Sequence, residues 1–141
     1  MRPYLLHPIA VHFPIALLLA GLAGSFVALS RRAPSWLEPA VSWLLWLGTL
    51  AAWAAMGLGL LAEDTAHHVP AAWEALADHK TAAFWTVGLF TALSLWRKLK
   101  PGAPRWAFAL AWLFCASALM RTGYLGGQVV YDFGMGVGGP K

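Results

Sequence analysis

IAVHFPIALLLAGLAGSFVALSRR, residues 9–32, decides the class of this chain. From Ile9 to Leu29 its one ionisable side chain is His12, and it reaches the roughly 20 residues that a helix needs to cross a bilayer. Within hydrocarbon every backbone N–H and C=O must be paired inside the segment, so the crossing is helical. Arg31 and Arg32 then hold its end at the membrane surface. A cleaved signal peptide would carry a basic start and a shorter apolar run, whereas only Arg2 precedes this one. It reads as a retained first span that enters from the outside.

Outward from that segment the same pattern repeats. Apolar stretches cover about 40–62, Thr81–Trp96 and Trp106–Met120, the last two needing flanking turns to complete a crossing. The chain is 60% hydrophobic and 11% charged, more apolar surface than a soluble core of 141 residues can hide. The expected architecture is all-α: one integral membrane four-helix bundle over residues 1–141, with a glycine-rich C-terminal tail from Thr122 that is too polar to be a fifth span.

The charges in the connections orient it. Arg31 and Arg32 lie in the first, Arg97, Lys98, Lys100 and Arg105 in the third, while the second holds acids and neither Lys nor Arg. Positive-inside reasoning puts both termini and the second connection on the outer side. The formal charge of +4 therefore expresses topology, and no basic face accompanies a nucleic-acid motif. Cys115, alone in the fourth span, offers no disulfide and no thiolate cluster; it reads as a packing residue.

All five histidines, His7, His12, His67, His68 and His79, fall at the outer end of this arrangement. His12, Ala16, Ala20, Gly24 and Ala28 recur every fourth residue, a small-residue face that lets a helix or a flat ligand approach, so His12 is expected to point into the bundle. His7 lies about 140° away around a regular helix, where the two are poorly placed to chelate one ion. Pro8 suits a first helical turn, and Pro14 should bend the helix or free the carbonyl of Ala10. A further helix starting after Pro70 brings His79 to the depth of His12 from a span that stands diagonal to the first.

That separation fits a haem b with His12 and His79 as axial ligands and His7 beside them or at another site. Lys80, Arg121 and Arg2 are the cations for its propionates, and Tyr124, Gln128 and Tyr131 are hydrogen-bond donors to a propionate or a quinone head group. The role this implies is electron transfer at the outer face, with a quinone or a redox protein as partner, rather than stand-alone catalysis.

Plainer roles stand beside each residue. A lone intramembrane histidine often only bonds a neighbouring helix, His79 at a helix entrance is open to solvation, and tyrosines at an interface serve as anchors. His67 and His68 with Glu63 and Asp64 form a weaker site for a divalent metal. Copper or another transition metal on His7, His12 and the loop histidines is the second reading. A structural or assembly subunit, within a homodimer or larger complex, is the third. Trp36, Trp73, Trp96 and Trp106 match interfacial belts, and Trp43, Trp46, Trp53, Trp85 and Trp112 lie within spans as packing or lipid-facing groups. No nucleophile with a base and no phosphate loop is present.

HPIAVHFPIALLL at 7–19, a later histidine at 79 opening a span, and YLGGQVVYDFGMGV at 124–137 resemble the domain-of-unknown-function 2231 family of small bacterial membrane proteins. The resemblance covers almost the whole chain and implies four spans in a bacterial inner membrane, with the histidine end toward the periplasm, and no settled activity. It carries over His7, Pro8, His12, Phe13 and Pro14, His79, and Gly126, Gly127, Tyr131, Gly134 and Gly136. Phe133 stands where the family often has histidine, which removes a second histidine pair built from His7 and the tail.

Overall fold

In the computed structural model, which describes residues 3–66 and 69–136, the chain is all helical. A 3-10 turn at Pro3–Leu5 leads into α1 (Leu6–Ala10) and α2 (His12–Val27), which form one rod broken at Val11. Pro14 has no N–H for the Ala10 carbonyl, and the break falls there as its sequence position requires. Pro8 sits inside α1 rather than opening it. Then come α3 (Leu37–Thr65), α4 (Trp73–Leu99) and α5 (Arg105–Tyr131). Prolines punctuate the starts: Pro70 opens a 3-10 turn ahead of α4, and Pro104 immediately precedes α5.

The rod Leu6–Val27, α3 and α5 are each long and apolar enough to cross a membrane. α4 has the length, but its ends are polar, with Glu74, Asp78, His79 and Lys80 at one and Arg97 and Lys98 at the other. Burial is distributed as lipid solvent would have it. Trp43, Trp85 and Phe114 are 67%, 70% and 64% exposed, while Gly21, Ser25, Gly48, Thr49, Thr86 and Ser94 are buried. In hydrocarbon large apolar side chains cost nothing on the outside, and small or hydroxylic ones let helices close on each other.

α2 packs on α3 and on α5, and α4 packs on α3 and on α5, so α2 and α4 are diagonal. Buried positions recur in alternating steps of three and four: Pro14, Leu18, Gly21 and Ser25 on α2, Val41, Leu45, Gly48, Ala52 and Ala55 on α3, with equivalent seams on α4 and α5. That is the 3.5-residue period of left-handed bundle packing. Hydroxyl pairs tie the seams together, Thr49 with Ser94 at 3.0 Å and Thr86 with Thr122 at 2.8 Å.

One expected element is corrected. The stretch from Thr122 is not a separate tail, because α5 continues through it to Tyr131. Its glycines are tolerated in a helix that packs against neighbours, and Gly134, with φ of 66°, supplies the left-handed residue that ends it by bonding the Val130 carbonyl. Met135 then closes against Val129 and Ala72 at the start of α4. Val137–Lys141 lie outside the described residues.

Candidate functional site

The end of the bundle where α1 starts and α5 stops, called its outer end for its place away from the core, brings His7 and His79 together. Extending the α2 seam outward in steps of three and four from Pro14 reaches Val11 and then His7, so His7 faces the interior from α1. On α4 the same steps run from Phe90 through Thr86 and Ala83 to His79. The two imidazole centroids are 6.3 Å apart with ring planes at 71°.

Each ring is held by the helix beside it. His7 Nδ1 is 2.8 Å from the carbonyl oxygen of Ala55 on α3, and His79 Nδ1 is 3.0 Å from the carbonyl oxygen of Thr122 on α5. A carbonyl oxygen only accepts, so in both rings Nδ1 carries the proton and donates. No described residue bonds either Nε2. Four residues after each carbonyl stands a glycine. A Cβ on Gly59 would come 3.0 Å from His7 Cε1, and one on Gly126 would come 2.9 Å from His79 Cε1.

His12 is corrected by this geometry. It is exposed on the outer face of α2, followed along that face by exposed Ala16 and Ala20. The four-residue spacing that suggested an interior face drifts against the 3.5-residue seam, and it is the seam through Pro14 and Leu18 that is buried. The diagonal relation expected for the first and third spans holds, with His7 in the place assigned to His12.

The other candidates stand apart from the pair. Lys80 forms a salt bridge with Glu63 at 2.7 Å, and Arg121 is exposed one residue before Thr122. Tyr124 and Tyr131 are 68% and 88% exposed, so neither bonds the histidines. His67 and His68 lie outside the described residues, and among those described no three histidine, cysteine or acidic side chains gather as a metal site. Cys115 is buried in the core as expected, and Trp112, fully buried, is packed rather than lipid-facing.

Sequence reasoning missed the two glycine cradles and the inner end. There Glu38 bonds both Arg97 and, at 2.8 Å, Arg105, while Arg97 lies 5.1 Å over the ring of Phe108. The recurrence of Leu-Gly at 58–59 and at 125–126 was the available signal for the cradles.

Neither a curated protein nor a solved structure matches the chain. The model of a family described as a predicted membrane protein, DUF2231, matches residues 4–139, so this multi-helix membrane protein belongs to that family.

Proposed function

We propose that the protein is a b-type haem carrier of the bacterial inner membrane that passes electrons at its outer face, with His7 and His79 as the axial ligands. The observation that carries this reading is the paired histidines. An imidazole bound at roughly 2.0–2.1 Å keeps its centroid about 3 Å from the metal, so two ligands on opposite sides stand about 6 Å apart. The centroids here are separated by 6.3 Å. Bonds from Nδ1 to backbone carbonyls are the usual way that ligating imidazoles are oriented and made more basic.

Gly59 and Gly126 leave no Cβ beside the imidazoles, so that both rings seat closely against α3 and α5. α1 packs on α3, and α5 meets the first half through α2, which makes the outer seam between α1 and α5 the way in. Arg121 beside Thr122 and Lys80 beside His79 are the cations for propionates, the latter shared with Glu63. A bound haem b supplies one-electron chemistry. The chain's own residues orient the two ligands, exclude water from the inner side through Leu18, Phe90 and Trp112, and set the charge at the rim.

The membrane placement belongs to the same proposal. α4 makes the fourth crossing alongside α3 and α5, and the basic residues of the first and third connections keep those connections in the cytoplasm. The histidine end then faces the periplasm, where a quinone at the interface or a soluble redox protein can reach it.

The test is the spectrum of the full chain purified from haem-supplemented cells. Sharp low-spin bands with extractable, unmodified haem are expected. In right-side-out vesicles a membrane-impermeant reductant should reduce it. His7→Ala and His79→Ala should each abolish the low-spin bands, while His12→Ala should leave them unchanged. Stoichiometric copper without haem would select the metal-binding reading instead, and protein free of both would leave the structural one.

A further inference from the structure

The two histidines are held by the same device, once in each half of the chain. Seventy-two residues separate His7 from His79, and the same interval relates Leu18 to Phe90 and Gly21 to Leu93. Sixty-seven residues separate Ala55 from Thr122 and Gly59 from Gly126, an interval that also relates Leu45 to Trp112. The interacting positions are therefore equivalent: a histidine on one helix, a carbonyl on its antiparallel neighbour, and a glycine four residues beyond that carbonyl.

The glycine is the physical condition for the bond. In an α-helix the carbonyl of residue i accepts from the N–H of residue i+4, and the i+4 side chain stands over that carbonyl on the same face. A lateral imidazole reaches the second lone pair of the oxygen at this close approach because that side chain is missing. At both positions an added Cβ falls within 3.0 Å of Cε1, against the same Cε1–Nδ1 edge that is tied to the carbonyl.

We propose that Gly59 and Gly126 are positioning residues that hold both imidazoles as Nδ1–H donors with crossed planes, so that their Nε2 atoms would be the ones to hold an iron. The proposal rests on the haem reading above. The crossing angle, 71° here, is set by the backbones of α3 and α5, because each carbonyl fixes the rotation of its ring and each glycine fixes how closely the ring approaches. Parallel imidazoles split the two iron orbitals that overlap with the ligand π systems, and crossed imidazoles leave them nearly degenerate. Ferric low-spin haem then gives one large, strongly anisotropic g value in place of a three-line rhombic signal.

Two measurements on the full chain test this. Electron paramagnetic resonance of the oxidised wild type should show the single large-g signal. Nitrogen-15 spectra of the haem-free protein should show His7 and His79 protonated at Nδ1. Gly59→Ala and Gly126→Ala should convert the large-g signal to a rhombic or high-spin one, whereas Gly57→Ala, where a Cβ meets open space, should leave it as it was. A rhombic wild-type signal, an unchanged signal in both cradle variants, or Nε2–H histidines in the haem-free protein would overturn the cradle while leaving the haem reading standing. Absence of haem from the wild type would overturn both. If an alanine variant fails to accumulate, the wild-type signal and tautomers still decide the matter.

Discussion

The two halves of the chain, the α1–α2–α3 hairpin and the α4–α5 hairpin, share a seam and differ in what they place on it. At the outer end the equivalent residues are identical in kind: His7 and His79, Gly59 and Gly126. One layer into the core they complement each other in volume, with Gly21 and Leu45 in the first half against Leu93 and Trp112 in the second. At the inner end they complement each other in charge, Ser25 standing where Arg97 does and Glu38 where Arg105 does. Likeness is kept at the end that carries the two histidines. Difference is found where the halves must lock onto each other.

The volume layer gives the largest expected effect. A Cβ on Gly21 would lie 2.5 Å from Cη2 of Trp112, a fully buried ring with no room to move. Gly21→Leu, which installs the residue of the other half, should destabilise the bundle by about 3 kcal/mol or more, the upper end of overpacking. Adding Trp112→Leu makes all four residues of the layer leucine and should recover most of the loss. Thermal unfolding in detergent measures both. A double variant no better than the single one would show that Gly21 matters for a reason other than the indole.

The charge layer comes next. Glu38 is the acid shared by Arg97 and Arg105 at the inner end, and its side chain is 26% exposed. Glu38→Gln leaves two cations facing each other without a counterion. Between the limits for exposed and buried pairs, a loss of about 1–3 kcal/mol is expected, seen as a lower unfolding temperature. High salt should narrow the difference from wild type, since it screens the repulsion that the variant creates. The outer end, whose histidines are held by backbone carbonyls, should keep its spectrum in this variant.

These layers explain which parts of the molecule were legible in the sequence. The long apolar helices, the helix start after Pro70, and the placement of His7 and His79 at one end follow from apolar length, proline placement and the positions of basic residues. The choice between His7 and His12 does not. It depends on whether the interior follows a four-residue or a 3.5-residue period, and over a single span both patterns can be drawn through small residues. The bundle decides by burying Pro14 and Leu18, which carries the seam outward to His7. Glycines after Thr122 read as a turn-rich tail because glycine disfavours isolated helices. Within a bundle Gly126 instead serves the helix that admits His79, a role visible only once the partner ring is in place.

The smallest effect separates a hydroxyl from a carbonyl at one residue. Thr122 bonds Thr86 through its side chain at 2.8 Å and His79 through its backbone at 3.0 Å. The first half lacks the hydroxyl pair, with Pro14 in the place of Thr86 and Ala55 in the place of Thr122, and still holds His7 at 2.8 Å. The hydroxyl pair is thus dispensable to the cradle. Thr86→Val, close in shape, should cost only about 0.6 kcal/mol, the average of interhelical hydrogen bonds in membranes. The bound Thr122 hydroxyl keeps its own bond to the Ala118 carbonyl, so no buried donor is orphaned. Unfolding temperature should fall slightly, and the Nδ1–H state of His79 should be unaltered in the nitrogen-15 spectrum. If the tautomer changes with Thr86→Val, the hydroxyl network rather than the backbone orients His79, and the two halves hold their histidines by different means.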